Sequence, residues 1–305
     1  MILRFFNLFP ILGLIFLLNN QSLAMQQKKE TENWLLEQVG VYKLSNPSKL
    51  FGGISSIIVE KGGSEFILLS DKSNYFKGNA SRDTKGKITT ISISEAYPIL
   101  SSKGELLRER NFDSEALAKF QDGSFLISFE SNDRIMYHST LDSPGEFLPS
   151  HPKFEEFHYS KGIEALAVSN EGFVYAFPEA PQMGNSHIEA LRFDGEKWEE
   201  SFLIDVSDGF NITDALFAPD GTLLILERYY SWVGFTSRIR RFKLIDGKAE
   251  FLQTLLESRF REFDNLEGIS MWLDKNEEYW LTVVSDDNFN IFQVTQLVEF
   301  KIKLK

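Results

Sequence analysis

The sequence ITDALFAPDGTLLILER at residues 212–228 decides the fold, because it recurs in variant form at four other places in the chain. The related stretches are GGISSIIVEKGGSEFILLSD from residue 52, SEALAKFQDGSFLISFE from 114, IEALAVSNEGFVYAFPE from 163 and LEGISMWLDKNEEYWLTVVSDD from 266. Each has a polar or acidic start, an apolar run, a turn, a second apolar run and usually an acidic end. A period of about fifty residues is typical of stacked or radial repeats.

Four of the repeats can be aligned at one equivalent position, and the successive spacings are 49, 49 and 54 residues. The residues at this position are Glu115, Glu164, Thr213 and Glu267. Gly53 lies 62 residues before the first of them, so the first repeat carries an insertion. We place this insertion within residues 74–87, which are polar and contain two glycines, and we predict a long loop there.

Inside each repeat the apolar runs are typical of β-strands. FLISF, FVYAF and LLIL are apolar on both faces and too short for helices, as expected of strands covered on both sides. Asp-Gly or Glu-Gly pairs at 122–123, 171–172 and 220–221 stand between paired runs, where a hairpin needs positive φ. In QLVEFKIKL at 296–304, apolar and charged residues alternate, which indicates an outer strand.

These patterns predict an all-β fold, a single β-propeller of five or six four-stranded blades, with six favoured. The final strand is expected to pair with an N-terminal strand near residues 39–44 and so to close the ring, which removes an exposed sheet edge. An open array of β-sandwiches is the alternative.

The first 24 residues have the composition of a secretory signal peptide. Arg4 precedes an almost wholly apolar run of 14 residues, and small residues follow at Ser22 and Ala24. The run is shorter than the ~20 residues that span a bilayer, although an uncleaved anchor is the alternative. We predict a signal peptide at 1–24, a propeller domain at 25–305, and export to the periplasm or the extracellular space.

The charge balance limits the partners. Removing Arg4 with the signal peptide leaves 31 basic and 44 acidic residues, a net charge of −13. Such a protein is not expected to bind nucleic acid or anionic membrane surfaces. There is no Cys, so disulfides and thiolate nucleophiles are excluded. We expect a monomer with no stable membrane insertion after signal cleavage.

The acidic residues of the repeats form the candidate site. The acid before the first strand of a hairpin and the acid after the second lie at the same end, so all should converge at one mouth of the central channel. Crowded carboxylates repel one another unless a cation neutralises them, and hard oxygen ligands favour Ca²⁺ or Mg²⁺, of which Ca²⁺ is the predicted cofactor. The predicted metal ligands are Glu115, Glu164, Glu267, Asp214, Glu227, Asp286, Asp287 and Asp71.

Basic residues occur near the same ends of the strands. Arg228, Lys72 and Arg134 are predicted to bind a substrate oxyanion, although a salt bridge to a neighbouring acid is the alternative and is favoured for Arg134. The predicted catalytic residues are Glu115, Glu164, Glu267, Arg228 and Lys72. Acids beside turns also cap backbone N–H groups, so a purely structural role remains open for each acid.

Several catalytic motifs are missing from the sequence. There is no G-x-S-x-G elbow, no H-E-x-x-H, no P-loop and no G-x-G-x-x-G. The four His residues show no ligand spacing. These observations exclude the common serine hydrolase, zinc protease and nucleotide-binding motifs.

The phrases FGGISS, SEALAKFQDGSFLISFE, GIEALAV, ITDALFAPDGTLLILERYYS and NLEGISMW, with LTVVSDDNFNIFQ, resemble the bacterial phytase-like family called "esterase-like activity of phytase". The similarity runs from about residue 51 to 304. This resemblance implies an exported β-propeller in a family that is described as a hydrolase. The third repeat departs from the pattern, with SNEG at its turn and FPEA at the end of its second strand, which puts a ligand role for Glu179 in doubt.

Three functions are open at this point. The first is metal-assisted hydrolysis of a small-molecule phosphate or carboxylic ester at the channel mouth, with Ca²⁺ polarising the ester. The second is a lactonase resembling the gluconolactonase-like propellers. The third is a non-catalytic periplasmic binding or scaffold propeller, in which the acids only hold the blades together.

Overall fold

Five antiparallel sheets build the part of the chain that the structure describes, each with four main strands and one of them with a short fifth strand. The structure is a computed structural model and describes residues 33–108, 111–157, 162–182, 184–206 and 208–305. The signal-peptide prediction falls on residues outside these ranges. Among the residues that are described, no helix combines the length and the apolar character that a bilayer crossing requires.

The first strand, β1 (Trp34–Lys43), is followed by blade 1, which contains β2 (Ile54–Glu60), β3 (Glu65–Ser70), β4 (Asn74–Arg82), β5 (Ile88–Ile93) and the short β6 (Tyr97–Pro98). Blade 2 contains β7 (Ser114–Lys119), β8 (Phe125–Phe129), β9 (Arg134–His138) and β10 (Glu146–Phe147). The helix α1 (Pro152–Phe157) connects it to blade 3.

Blade 3 contains β11 (Ile163–Val168), β12 (Val174–Pro178), β13 (His187–Phe193) and β14 (Trp198–Asp205). Blade 4 contains β15 (Asn211–Phe217), β16 (Leu223–Ser231), β17 (Gly234–Ile245) and β18 (Lys248–Glu257). Blade 5 contains β19 (Asn265–Leu273), β20 (Tyr279–Asp286), β21 (Gln296–Leu304) and, as its outer strand, β1.

The all-β propeller with four-stranded blades is therefore confirmed, whereas the preference for six blades is wrong. The N-terminal strand does not begin a sixth blade, because β1 pairs with β21 and completes blade 5. This antiparallel pairing matches Trp34 with Leu304 and Lys43 with Gln296. That it closes the ring stays a prediction.

The predicted long loop at residues 74–87 is also wrong. Residues 74–82 form β4, the third strand of blade 1, and only a short turn separates it from β5. From Phe76 to Ser81, buried and exposed residues alternate, so this part of the segment is a strand with one solvated face. The extra length of the first repeat lies instead in β6 and in the connection that follows it.

The hairpin turns form where the sequence predicts them. Gly123, Gly172 and Gly221 have φ of 92°, 88° and 83°, a region that favours glycine. The preceding acid reinforces two of these turns, since Asp122 and Asp220 each accept a hydrogen bond from the backbone N–H two residues later.

The hydrophobic core is divided into clusters that lie between neighbouring blades. The cluster between blades 5 and 1, for example, joins Ile57 to the stacked indoles of Trp272 and Trp280, whose centroids are 5.1 Å apart. The innermost strand of every blade also lines one central cavity of about 160 Å³, to which they contribute Ile57, Leu117, Leu166, Ala215 and Ile269. This arrangement fixes the direction of every inner hairpin.

Candidate functional site

A β-bulge stands at the same place in the inner hairpin of every blade. The register between the first and second strands shifts after Ile54, Ser114, Ile163, Ile212 and Leu266. The residue that follows each of them is left out of the strand pairing: Ser55, Glu115, Glu164, Thr213 and Glu267. Bulges redirect a side chain and are over-represented beside active sites, so this position is suited to function rather than to packing.

The strand pairing defines a second set of equivalent residues at the end of each second strand. The partners of the five residues before the bulges are Ser70, Phe129, Pro178, Glu227 and Ser285. The residues that follow these partners are Asp71, Glu130, Glu179, Arg228 and Asp286. Arg228 therefore takes in blade 4 the place that carboxylates take in the other four blades.

We call the carboxyl groups at this end of the propeller the acidic mouth, which comprises Asp71, Asp113, Glu115, Glu130, Glu164, Glu179, Glu267 and Asp286. Glu115 interacts electrostatically with Glu267 of blade 5 and Asp71 of blade 1, and Glu164 interacts with Glu115. The structure thus brings the predicted acids of four blades together around Arg228.

Three carboxyls of blade 2 are close enough to share a cation. One oxygen each from Asp113, Glu115 and Glu130 lie within 4.8 Å of one another, and all three side chains are half-buried. Burial, and then repulsion by Asp113 and Glu130, raises the pKa of Glu115 well above its usual value. A donor set made only of carboxylate oxygens suits a hard cation such as Ca²⁺.

Arg228 joins three blades through its guanidinium group. Its Nη2 donates to Glu179 of blade 3 at 3.0 Å, and its Nη1 donates to Asn265 of blade 5 at 2.7 Å and to Glu267. Asn211 and Asn265 support the two carboxylates, since their Nδ2 atoms donate to Glu179 at 3.0 Å and to Glu267 at 2.6 Å. Burial opposes the charge of Arg228, but Glu267 and Glu179 outweigh it and raise its pKa.

Glu164 lies between the blade 2 carboxyls and the Arg228 network. Burial raises its pKa well above the usual value, and the charges on Glu115 and Glu179 raise it further, while Arg228 opposes the shift. A carboxyl in this position holds a proton at a pH where an exposed glutamate has lost it.

On the blade 5 and blade 1 side, two aspartates also have raised pKa values. Burial and the charge of Glu267 raise the pKa of Asp286 to about 8, and burial raises that of Asp71 to about 6. Asp287 instead holds the backbone, since its Oδ1 accepts from the N–H groups of Gly53 and Phe289, both at 3.0 Å.

The predicted basic residues differ in their surroundings. Lys72 is exposed, and its Nζ lies 3.2 Å from the centroid of the Phe289 ring. Arg134 lies over Phe129 and donates to the carbonyl oxygens of Asn132 and Asn111, so it supports the backbone of blade 2. Burial lowers the pKa of Arg134 to about 10.

Two predicted metal ligands make contacts that stabilise the blades in this structure. Glu227 is fully buried and accepts from Arg238 Nε at 2.9 Å and from Arg240 Nε at 2.7 Å. Asp214 accepts from the backbone N–H of Ala215 and of Ile269, both at 2.8 Å, which ties blade 4 to blade 5. Burial raises the pKa of Asp214 well above its usual value.

Three contributors to the site were not predicted from the sequence: Asp113, Asn211 and Asn265. They stand at one repeat position, two residues before the bulged residue. A side-chain carboxyl or amide at this position in three repeats was the signal that could have identified them.

The comparisons with known proteins agree with this fold. The phytase-like family, described as "esterase-like activity of phytase", matches residues 49–289. A search of curated proteins finds no match.

Among solved structures, a luciferin-regenerating enzyme is similar at 11% identity and a TM-score of 0.50, over 87% of this chain and 95% of its own. The WD40 repeats of RRP9 are similar at 8% identity and a TM-score of 0.49, over 88% of this chain and 100% of theirs. The PQQ-bound aldose sugar dehydrogenase of Streptomyces coelicolor is similar at 10% identity and a TM-score of 0.45, over 87% of this chain and 98% of its own. Of these three, the luciferin-regenerating enzyme has a TM-score of 0.50, and at 11% identity that similarity concerns the fold alone.

Proposed function

We propose that this chain, which belongs to the phytase-like family described as "esterase-like activity of phytase", hydrolyses small-molecule phosphate or carboxylic esters at the acidic mouth. The observation that carries this proposal is the bulge that recurs in every blade and presents Glu115, Glu164 and Glu267 together, beside Arg228. Buried, crowded carboxyls are costly to maintain, and their pKa values are shifted in the way that is common at active sites.

Asp113, Glu115 and Glu130 would hold a divalent cation, for which Ca²⁺ is the expected identity. When bound, the cation would neutralise charge that develops on the ester oxygen and polarise its P=O or C=O bond. The donor set fits this role, since the three oxygens are close, and burial and then repulsion by Asp113 and Glu130 raise the pKa of Glu115.

The carboxyls outside this group would move protons. In hydrolysis, water adds its oxygen to phosphorus or to the carbonyl carbon, and the bond to the alcohol oxygen breaks. In its ionised form, Glu164, between Glu115 and Glu179, would accept the proton that the water loses. Asp286, whose pKa is about 8, is protonated at neutral pH and can donate a proton to the leaving alcohol.

The basic residues have unequal roles in this proposal. Arg228 already binds Glu179 and Glu267, so it positions these carboxylates and lowers the repulsion between them. Lys72 is exposed and can turn toward a substrate oxyanion, at the cost of its contact with Phe289. Arg134 is engaged with carbonyl oxygens and is assigned no part in binding.

A non-catalytic binding or scaffold propeller is the second candidate, and specific contacts favour it. Asp214 ties blade 4 to blade 5, and Arg228 ties blade 4 to blades 3 and 5, so some of the buried charges hold the blades in register. Under this alternative, no ester is hydrolysed and replacing Glu115 changes stability alone.

The proposal places the mature protein, residues 25–305, outside the cytoplasm as a monomer that acts on a small molecule. The negative charge of the chain supports the exclusion of nucleic acid as a partner. Removal of residues 1–24 in cells that secrete the protein, measured by N-terminal sequencing, tests the export part of the proposal.

The decisive experiment is an ester panel with purified residues 25–305, assayed in Ca²⁺ and in EDTA. The panel contains p-nitrophenyl phosphate, p-nitrophenyl acetate and a δ-lactone, and the last of these separates a lactonase from the other two classes. We expect turnover that EDTA abolishes, that Ca²⁺ restores and that Glu115→Gln removes. Glu196→Gln, at an exposed turn, is the matched control. No turnover on the panel, with melting unaffected by Ca²⁺, would contradict the proposal.

A further inference from the structure

Near the acidic mouth lies a cavity of about 480 Å³ whose lining combines aromatic and polar side chains. One wall is the tip of the hairpin that joins β16 to β17, and the other is the segment after β20; we call the space between them the aromatic cleft. Its apolar lining residues are Tyr230, Trp232, Val233, Phe235, Phe263, Phe292 and Val294. Its polar lining residues are Arg261, Glu262, Asp264, Asn290, Gln293 and Gln296. Volumes of about 300–1,000 Å³ are typical of sites for small molecules.

The rim of the aromatic cleft exposes large apolar side chains that globular proteins usually bury. Trp232 is 95% exposed, Phe292 87% and Ile291 91%. Single exposed apolar residues are common, whereas a cluster of them marks a binding surface. Trp232 and Phe292 stand on two separate loops that line the same cavity, which favours a bound apolar group over chance exposure.

The walls of the aromatic cleft are built before any ligand arrives. Asp264 accepts from the N–H of Val294 at 2.8 Å and from Gln293 Nε2 at 3.2 Å, so it fixes the blade 5 wall. The N–H of Arg261 donates to the carbonyl of Phe235 at 2.9 Å, which fixes the blade 4 wall. Preformed walls lower the entropy cost of binding.

The lining of the aromatic cleft adjoins the residues around the acidic mouth along two segments of the chain. Asp264, which lines the cleft, directly precedes Asn265, whose Nδ2 donates to Glu267 at 2.6 Å. On the other wall, β16 runs from Arg228 through Tyr229 to Tyr230, which lines the cleft. A ligand can therefore place a polar group at the mouth and an apolar group in the cleft.

We propose that the aromatic cleft binds the acyl or aryl group of an ester whose ester bond lies at the acidic mouth. This proposal rests on the proposed hydrolase function and names its substrate class. A highly phosphorylated polyol has no apolar surface to place in the cleft, and its charge is repelled by residues 25–305, whose net charge is −13. An apolar ester gains from burial and is not repelled.

The first test is a series of p-nitrophenyl esters with acetyl, butyryl and octanoyl chains. We expect kcat/KM to rise with chain length, by up to about fourfold for each CH₂ that becomes fully buried. Trp232→Ala and Phe292→Ala should flatten this rise, mainly through KM. Phe147→Ala, an exposed phenylalanine on blade 2, is the matched control. Turnover that does not depend on chain length overturns the proposal.

A second test does not depend on turnover. Trp232 is exposed while Trp34, Trp198, Trp272 and Trp280 are buried, so the long-wavelength emission reports on Trp232. We expect uncharged octanamide to shift this emission to shorter wavelength in the full mature chain, and Trp232→Phe to abolish the shift. Binding of octanamide without hydrolysis of any ester supports the cleft and contradicts the hydrolase, whereas neither binding nor turnover overturns both.

A membrane surface could also engage exposed Trp, Ile and Phe side chains. Sedimentation with phosphatidylcholine vesicles separates this outcome from an acyl site. Vesicle binding that Trp232→Ala abolishes, together with a flat chain-length profile, overturns the proposal in favour of a lipid surface.

Discussion

The Nη2 atom of Arg228 lies 3.0 Å from Oε1 of Glu179, so a guanidinium on blade 4 is paired with a carboxylate on blade 3. Both side chains are largely buried, and the same guanidinium also contacts Glu267 of blade 5. The relationship makes one side chain the link between three blades at the acidic mouth.

Replacing Arg228 by Met should destabilise the protein by about 3–5 kcal/mol, because it leaves two carboxyls in a buried site without the guanidinium between them. Urea denaturation measures this free energy of unfolding. Arg192→Met, which breaks an exposed pair with Glu199, should change it little. Equal effects of the two substitutions would contradict the prediction.

The stability of the protein should depend on pH through the raised pKa of Asp286. Its folded-state pKa is about 8, above the usual value of 3.8, so the folded chain binds more protons than the unfolded chain between these pH values. The contribution of Asp286 to stability is therefore fully present below about pH 4 and is lost as pH rises to about 8.

The measurement is the difference in free energy of unfolding between wild type and Asp286→Asn at each pH, which cancels the contributions of other groups. We expect the free energy of unfolding of the variant to increase relative to that of the wild type as pH rises from 4 to 8. A difference that is constant over this range would show that Asp286 titrates normally. The pKa of Asp71 is raised to about 6, so the stability difference between wild type and Asp71→Asn should change over a narrower range of pH.

Calcium should raise the melting temperature if Asp113, Glu115 and Glu130 hold it. At a concentration 100 times its dissociation constant, a ligand stabilises the folded state by about 2.7 kcal/mol. Scanning calorimetry with and without Ca²⁺ checks this expectation. Asp113→Asn and Glu115→Gln should abolish the response, whereas Glu196→Gln should keep it; a response that survives in the double variant would place the cation elsewhere.

Replacing Glu227 by Gln should lower stability by about 3–5 kcal/mol without changing the calcium response, since Arg238 and Arg240 would lose their buried partner. The same calorimetric comparison gives both quantities. Loss of the calcium response in this variant would indicate that Glu227 binds Ca²⁺ and would contradict our assignment of a purely structural role to it.

The inner hairpins were predictable from the sequence because their turns and apolar runs repeat almost unchanged. The blade count was not, since the outer strands vary: β10 has only two residues, and the outer strand of blade 5 comes from the other end of the chain. Likewise the loop predicted at 74–87 was the strand β4, whose two buried rings are masked in the sequence by polar neighbours.

Within the site, the sequence identified which end of each hairpin carries the acids but not which face they occupy. Glu227 comes one residue earlier than Glu130 and Glu179 in the strand register, so its side chain turns toward Arg238 and Arg240, and Arg228 takes the position at the mouth. A one-residue difference reverses the face of a strand. Only the pairing registers, which depend on the bulges, reveal this difference.

The bulge that recurs in every blade separates the residues that pair the strands from the residue whose side chain lies at the candidate site. The residue it expels from the ladder contributes nothing to strand pairing, so its side chain can change without disturbing the sheet behind it. In this protein the position holds Ser55, Glu115, Glu164, Thr213 and Glu267 on five otherwise similar hairpins. The five hairpins therefore offer equivalent positions at which a new side chain can introduce new chemistry without a new fold.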